Sequence, residues 1–443
     1  MTTRFNPLFV ILTAGLLLAA CGQQAASTSS PAASAAASTA PVVSSSTVGS
    51  IKIGILEPMS GPAAVLGKDN TDAFQLYFES LGGAVAGHKL ETIVADSQGR
   101  PDAPLAKAAQ LVDVDKVSLL AGANFNPECY ALAPFSAQRH TPVAVTGNCA
   151  GMGLTTDPKL KSPFLVRLTQ TTTGLWGPLA DWAYGQGLRK VIAFALDNIN
   201  EPVDAFGAAF VKRGGAIVQE TYTSLGTTNF GPYLAQLSPS ADGILLVETG
   251  IDGLRWGQQY GQYAGDRKLQ ILDTVGAMSF GSNLAQAKER AVGVVAENHY
   301  TTALDNSLNK AFLDTWRRRY PDRLVSQDTA QGWATAQMIA TAIQRLNGNV
   351  ENKQAFMGAL RSTDMDTIRG HVRLDPNGDI VQNTYVYQMV QHGSAVEPNI
   401  LKVYPDIGVD WDWTQETLTR FPWGQLKGKW VGMTKEKLAA LDK

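Results

Sequence analysis

Side chains that could perform catalysis are present in this sequence, but their spacing matches none of the common catalytic motifs. None of its histidines stands in a His-Glu-x-x-His arrangement or at the spacing of metal ligands. They are His88, His140, His299, His371 and His392. Residues 276–281 place a serine between two glycines, but not at the Gly-x-Ser-x-Gly spacing of a nucleophile elbow. No glycine-rich phosphate loop follows the first predicted strand. The sequence therefore predicts no catalysis, no bound metal and no cofactor.

Residues 375–379, Asp-Pro-Asn-Gly-Asp, are similar to the first half of a calcium-binding loop. Such a loop requires a glycine at its sixth position and a bidentate glutamate at its twelfth. This chain has Ile380 and Val386 at those positions. A tight turn between two strands is therefore predicted instead.

The amino-terminal residues indicate export. Arg4 precedes an apolar run that ends at Ala20 and is followed by Cys21. The run is too short for a bilayer-spanning helix, which needs roughly 20 residues, and is typical of a secretory signal. Its Leu-Ala-Ala-Cys ending resembles the bacterial lipoprotein signal, which implies a signal over residues 1–20 and lipidation of Cys21. The alternative is ordinary cleavage near Ala20.

Residues 21–49 are predicted to form a disordered tether. They are almost wholly small or polar and carry no charge and no aromatic ring. Such a segment cannot bury enough apolar surface to offset the entropy lost on ordering. We therefore expect an exported protein at the bacterial cell envelope that contacts the membrane through its lipid anchor only.

The remaining cysteines, Cys129 and Cys149, would lie in an oxidising compartment. A pair of cysteines in such a compartment is commonly bridged, so a disulfide is predicted. The alternative is two separate buried thiols that behave as small apolar side chains. The formal net charge of −2 gives no reason to expect a nucleic-acid partner.

Short apolar strands alternate with helices along the chain, which predicts an α/β fold with parallel sheets covered by helices on both faces. The predicted strands are 51–56, 89–95, 117–121, 142–145, 191–196, 216–221, 243–247 and 269–272. The predicted helices among them include 101–112, 127–139, 203–213 and 253–264. Residues 308–360 are predicted to be mainly helical, and 371–404 to form hairpin strands. The alternation starts twice, which indicates two lobes and a cleft.

Several segments, in order, resemble the leucine/isoleucine/valine-binding-protein-like family of periplasmic solute-binding proteins. They are Ile53 to Gly67, Leu81 to Gly83, Asp96, Asp115 to Gly122, Thr227 to Leu234 and Ile368 to Asp379. The resemblance implies two flavodoxin-like lobes joined by a hinge of three crossing segments around a ligand cleft. With it, the predicted domains are lobe 1 (50–168 and 302–371), lobe 2 (169–301 and 372–404) and a tryptophan-rich extension (405–443).

The extension contains Trp411, Trp413, Trp423 and Trp430. We expect it to pack on lobe 2. The alternative is a role beside the hinge or in docking a partner.

In the first lobe, the resemblance assigns ligand contacts to two loops. Asn126, preceded by Asn124 and Phe125, matches a hydroxyl residue that helps to hold a ligand carboxylate at a helix start. Asn126 could instead, or in addition, be an N-cap followed by Pro127. In the second loop, Asn148, Cys149 and Ala150 match a segment that contacts the carboxylate through backbone groups. Leu66 replaces an aromatic residue that often packs over the ligand.

In the second lobe, the resemblance exposes departures from amino-acid binders. Glu201 matches an aromatic ligand contact, although it could simply be a solvated acid at a helix start. Val275 stands where amino-acid binders place a carboxylate for the ligand ammonium. A buried ammonium without a partner is costly, so an amino acid fits only if Glu248, Glu201 or Asp273 substitutes. Glu248, followed by Thr249, is the best candidate, although an exposed loop acid is an equal alternative.

The resemblance therefore implies a monomeric solute receptor of an ABC importer, working with a permease and its ATPase. The expected ligand is a small organic or aromatic acid. An amino acid or amide is the alternative ligand, and a sensor or scaffold lipoprotein is the alternative class.

Overall fold

The structure, a computed structural model, describes residues 49–61, 63–100, 102–263 and 267–441, without the side chains of residues 155 and 156. The predicted signal, Cys21 and the tether up to residue 48 lie outside this part of the chain. Within the described ranges, no helix has both the length and the apolar character needed to cross a bilayer.

The described residues form two sheets. Their strands are β1 (Ser50–Glu57), β2 (Ala84–Val85), β3 (His88–Asp96), β4 (Leu119–Gly122), β5 (Val143–Val145), β6 (Leu165–Arg167), β7 (Lys190–Leu196), β8 (Ala216–Thr223), β9 (Gly243–Val247), β10 (Gln270–Asp273), β11 (Val295–Asn298), β12 (Asp364–Thr367), β13 (Gly370–Leu374), β14 (Ile380–His392) and β15 (Ala395–Ile407). The first sheet has the order β2-β3-β1-β4-β5-β6, and only its β2–β3 pair is antiparallel. The second has the order β12-β13-β14-β11-β10-β9-β7-β8, with β15 paired to β14. Its strands from β7 to β11 are parallel, and the pairs that involve β12 to β15 are antiparallel.

Helices cover both faces of each sheet. They are α1 (Ala64–Ser80), α2 (Ala103–Asp113), α3 (Asn126–Arg139), α4 (Gly153–Thr156), α5 (Thr172–Gly185), α6 (Glu201–Arg213), α7 (Gly231–Leu234), α8 (Gly250–Tyr263), α9 (Gly281–Ala287), α10 (Ser307–Arg319), α11 (Gln327–Arg345), α12 (Lys353–Arg361), α13 (Gln415–Arg420) and α14 (Lys435–Ala440). A short 3-10 turn covers Lys288–Ala291. In β1, Ile53 packs into the core shared with α1, α11 and α12, whereas Leu56 packs into the core shared with α2 and α3. This two-sided burial explains why the parallel strands are apolar runs rather than alternating sequences.

Helix α11 packs unusually closely on α1. A Cβ atom at Gly332 would lie 2.1 Å from the backbone oxygen of Asn70, so only glycine permits this approach. Because α11 lies against α1, the polar first turn of α11 comes close to the carboxyl end of β1.

Buried polar contacts hold together the segments that cross between the sheets. Arg167, at the end of β6, forms a fully buried ion pair with Asp379 at 2.7 Å (Nε to Oδ1). Arg369 is also buried and donates to the carbonyl oxygens of Leu168 and Thr169 at 2.8 and 3.1 Å. The segment at the end of β6, residues 167–169, is therefore bonded directly to Arg369 and Asp379, which lie on either side of β13.

The predicted α/β fold with two lobes is confirmed. The predicted turn is also present, because Asp375 Oδ1 accepts the N–H groups of Asn377 and Asp379 at 2.8 Å each. The sheets divide the chain differently from the predicted boundary at 371 and 372. Strands β12 and β13 pair with the second sheet, because they form a continuous antiparallel meander with β14, although Val372 packs in the first-lobe core.

Candidate functional site

The predicted site residues lie mostly in loops that follow parallel strands. In open α/β sheets, ligands bind beyond the carboxyl ends of the strands. The first lobe supplies the loops after β1, β4 and β5, and the second supplies those after β7, β9 and β10. Leu66 lies half-buried in the first turn of α1, and Phe125 is half-buried against Gly99.

A buried amide and carboxyl cluster lies at the centre of the first-lobe loops. Asn124 Nδ2 donates to Glu57 at 3.0 Å and to Asp328 at 3.3 Å, and its oxygen accepts from Asn148 at 3.0 Å. Asn148 also donates to Asp328 at 2.7 Å. Burial raises the pKa of the Glu57 carboxyl well above its ordinary value and raises that of Asp328 to about 7. The cluster joins two predicted residues, Asn124 and Asn148, to helix α11.

The first turn of α11 extends this cluster with residues that the sequence analysis did not select. Gln327 Nε2 donates to Asn148 at 2.6 Å and to Gln170 at 2.8 Å, and its oxygen accepts from Asn298 at 2.7 Å. Gln331 also donates to Asn148, at 2.9 Å. A signal was available, because three polar side chains in the pattern Gln-Asp-x-x-Gln directly follow the N-cap Ser326.

The first turn of helix α3 does not have the predicted arrangement around Asn126. The N-cap is Phe125, and Asn126 is the first helical residue, so the alternative of Asn126 as N-cap is wrong. Its side chain instead accepts the N–H of Gly151 at 2.9 Å. Glu128 Oε2 accepts the N–H groups of Asn124 and Phe125 at 3.0 Å each, so these two donors are already occupied by a residue of the same helix.

The loop after β5 retains free backbone donors. Within the described ranges, no residue accepts a hydrogen bond from the N–H of Gly147, Asn148 or Cys149. Successive N–H groups of this kind form anion-binding concavities. Cys149 is joined to Cys129 of α3 by a disulfide with a Cα–Cα distance of 6.3 Å. The Ala150 carbonyl accepts the Thr172 N–H at 3.0 Å, so the loop is fastened at its end.

Glu201, at the start of α6, is occupied by protein donors. It accepts the Thr172 hydroxyl at 2.8 Å, and the Met152 N–H and the Tyr130 hydroxyl also donate to it. Burial raises the pKa of its carboxyl despite these bonds. Glu201 is thus not a solvated acid, and it links lobe 2 to α3 and to the loop after β5.

The other two candidate acids of lobe 2, Asp273 and Glu248, differ in whether their oxygens are already bonded. Asp273 is saturated, because its oxygens accept the N–H groups of Ala277, Met278 and Ser279 at 2.8, 2.9 and 3.1 Å. Glu248 is fully buried, which excludes the exposed-loop alternative. Thr223 donates to its Oε1 at 2.5 Å, and its Oε2 has no partner in the described residues.

Burial raises the pKa of Glu248 to about 7. Thr249 is half-buried and begins the turn into α8. Val275 packs against the apolar cluster that includes Ala150, so an apolar side chain, not a carboxylate, faces that surface.

Family comparison decides the class of this two-lobed molecule. Residues 50–394 match the sequence profile of the family described as periplasmic binding protein. The chain belongs to the periplasmic binding protein family. The family predicted from the sequence motifs is therefore confirmed, and its members are extracytoplasmic substrate-binding proteins of transporters.

Relatives place this binding protein near two groups of receptors. It is 28% identical over 355 residues to the Leu/Ile/Val-binding protein homolog 6 of Brucella melitensis, covering 79% of this chain and 90% of the relative. It is similar to an ABC transporter substrate-binding protein from Sphaerobacter thermophilus, with a TM-score of 0.76 and 28% identity over 81% of this chain and 98% of the other.

A solute-binding protein of Rhodopseudomonas palustris in complex with p-hydroxybenzoic acid is also similar. It has a TM-score of 0.72 and 26% identity over 81% of this chain and 98% of that chain. A leucine-binding protein from Thermotoga maritima shares the fold, with a TM-score of 0.69 at 20% identity over 80% of this chain and 99% of that chain.

The loops at this edge of the sheets offer a ligand hydrogen-bond donors and apolar surfaces. In the described residues, no group of three or more His, Cys, Asp or Glu side chains is arranged to hold a metal ion. Of the buried arginines near the loops, Arg167 pairs with Asp379. Arg369 donates to two carbonyl oxygens, and its Nε has no partner in the described residues.

Proposed function

We propose that this binding protein captures a small organic or aromatic acid between its lobes. It would deliver the acid to an ABC permease and its ATPase. The R. palustris relative is a complex with p-hydroxybenzoic acid, which supports an aromatic acid as one candidate.

One observation carries the choice of an acid over an amino acid. Position 275 is valine, and two of the three carboxylates that could replace the missing ammonium partner are already bonded. Asp273 is saturated by backbone N–H groups, and Glu201 accepts three protein donors. At Asp273 or Glu201 an α-ammonium would have to displace existing bonds, and an unpaired buried charge is strongly unfavourable.

The first lobe supplies the complementary half of this proposal. The free N–H groups of residues 147–149 would bind the carboxylate, because hydrogen bonds to an ionised acceptor are roughly twice as strong as neutral ones. Asn148 lies within the same loop, and its side chain is fixed by Asp328 and Gln327. The donors are therefore held in position before a ligand arrives.

An amino acid or amide is a second candidate because of Glu248. Its Oε2 is buried without a partner in the described residues, so it could accept a hydrogen bond from an ammonium or an amide N–H. A ligand cation would also lower the raised pKa of Glu248, since an opposite charge favours the ionised form.

Binding would favour a closed arrangement of the lobes. A ligand shifts such an equilibrium only by its extra affinity for one of the two states. We also propose a lipid anchor at Cys21 of a monomeric receptor at the cell envelope. A sensor or scaffold that does not feed a permease is the alternative to transport.

Thermal unfolding of residues 50–443 with a ligand panel tests the choice. Ligand at about 100 times its Kd stabilises by about 2.7 kcal/mol. We expect p-hydroxybenzoate or short organic acids to raise the Tm, and leucine to leave it unchanged. A raised Tm with leucine alone would favour the second candidate, an amino-acid receptor in which Glu248 pairs with the ammonium. No shift with any compound would favour the sensor or scaffold class.

A further inference from the structure

The residues between the last strand and the carboxyl-terminal helix form a segment that contacts both lobes. We name residues 408–431 the C-terminal strap. The family match ends at residue 394, so the strap lies outside the part of the chain that the family profile describes.

One face of the strap is fixed to lobe 2. Trp430 is fully buried, and its Nε1 donates to Asp204 Oδ1 of α6 at 2.7 Å. Its ring lies over Gly207, where a Cβ would come within 2.8 Å of it. Glu220 of β8 accepts the N–H groups of Gly428 and Trp430 at 2.7 Å each. These bonds join the strap to both a helix and a strand of lobe 2.

The other face of the strap contacts the first lobe. Val409 and Leu418 form a small apolar cluster with Met152, and Trp413 and Trp423 pack against this cluster. Met152 belongs to the loop after β5, directly after the free N–H groups of residues 147–149. Helix α13 of the strap thereby lies against α4.

The two attachments meet at the start of α6. Gly424 of the strap lies against Glu201, because a Cβ on Gly424 would be 3.3 Å from Glu201 Cγ. Glu201 accepts the Met152 N–H, and Asp204, one turn later, accepts the Leu426 N–H at 3.3 Å. The same helical turn therefore binds the strap and the first-lobe loop.

We propose that the strap is a fourth connection between the lobes and that Leu418 and Trp423 are positioning residues for the loop of residues 147–154. The strap packs against the Met152 side chain and Glu201 accepts the Met152 N–H, so two separate contacts fix the loop. Loss of the strap contacts should therefore make the loop more mobile. It should also weaken ligand binding, and only this second effect rests on the proposed function of the loop.

Hydrogen exchange of ligand-free protein over residues 150–154 tests the proposal. In this loop the Ala150, Gly151 and Met152 N–H groups are bonded, so local opening controls their exchange. We expect Leu418→Asn to accelerate exchange there by about tenfold or more. Leu438→Asn is the matched control, because Leu438 is buried in α14 against lobe 2, away from Met152. It should leave the loop unchanged.

Equal exchange in this loop for the wild type and the Leu418→Asn variant would overturn the proposal. If Leu418→Asn does not fold, the half-buried Trp423→Leu replaces it with the same expectation. Because no ligand is present, this result is independent of the solute. A wild type that binds no acid would contradict the proposed function and leave the strap result standing.

Discussion

The side chain of Asn148 donates to Asp328 at 2.7 Å, although the two residues are 180 positions apart. This bond joins the loop after β5 to the first turn of α11. Asn124 donates to the same oxygen at 3.3 Å. Asp328 therefore fixes two loops that follow neighbouring parallel strands, and it orients the Asn148 side chain beside the free N–H groups.

Replacing Asp328 with alanine should destabilise the protein and weaken acid binding. The change leaves buried amide donors without an acceptor, which costs about 1–3 kcal/mol. Urea unfolding measures the stability, and calorimetry with p-hydroxybenzoate measures the affinity. Asp314→Ala is the control, because Asp314 is exposed on α10. Equal stability of both variants would show that the cluster does not hold the loops.

Glu248→Gln should change the pH dependence of stability. The pKa of Glu248 is raised to about 7 in the folded protein by burial, above its ordinary value of roughly 4.3. The unfolded chain therefore loses this proton at lower pH, and stability falls as pH rises through this window. Glutamine keeps the acceptor for Thr223 but cannot ionise. The Tm of the variant relative to wild type should rise between about pH 5 and 7 and then level off. A constant difference would mean that Glu248 ionises normally.

Removing the Cys129–Cys149 disulfide should lower stability by about 3 kcal/mol, as the chain-entropy account predicts for loops of this size. The sequence separation is 20 residues. Urea unfolding of a double Cys→Ala variant measures the loss. Acid affinity should fall as well, because Cys149 belongs to the loop with free N–H groups. Unchanged stability after removal, or with added reductant, would contradict a bridge.

Asp379→Ala should be far more damaging than removal of an exposed acid. Arg167 and Asp379 are both completely buried, and a buried charge left without its partner costs about 3–5 kcal/mol. Asp314→Ala is the control, because its ion pair with Arg317 is exposed and should contribute nothing measurable. Chemical denaturation compares the two variants. Similar midpoints would mean that the crossing segments do not depend on this pair.

The fold could be predicted from the sequence because buried parallel strands are local apolar runs. Residues 51–56 and 243–247 are examples, and both are strands in the structure. The membership of β12 and β13 in the second sheet was not predictable in this way. They join that sheet only through β14, whose pairing with β11 joins the distant residues Tyr385 and Asn298.

The site was predicted less completely because its contacts join distant positions. Asn148 was selected from a resemblance, but Gln327 and Asp328 resembled an ordinary helix start beside the cap Ser326. Their role depends on α11 packing against α1 at Gly332. Likewise, Trp413 and Trp423 indicated packing, but nothing local indicated that Met152 would be their neighbour.

Val275→Glu should move ligand preference toward amino acids. The family resemblance assigns position 275 to the acid of amino-acid binders, and a negative charge there should repel a ligand carboxylate. We expect at least about tenfold weaker acid binding, equivalent to 1.4 kcal/mol. Val275→Gln is the control, because it has similar size without the charge. Calorimetry measures the acid affinity of both variants. Equal affinities would contradict the proposal that the charge at position 275 decides between acids and amino acids.

Calorimetry of wild-type residues 50–443 with p-hydroxybenzoate, p-hydroxybenzamide and leucine tests the central claim most directly. The first two ligands differ only in the carboxylate or amide group, and leucine carries an α-ammonium and an aliphatic side chain instead of the ring. We expect the protein to bind the acid, to bind the amide at least about tenfold more weakly, and not to bind leucine. Tight leucine binding without acid binding would contradict this, because an acid elsewhere in the cleft would then pair with the ammonium despite valine at position 275.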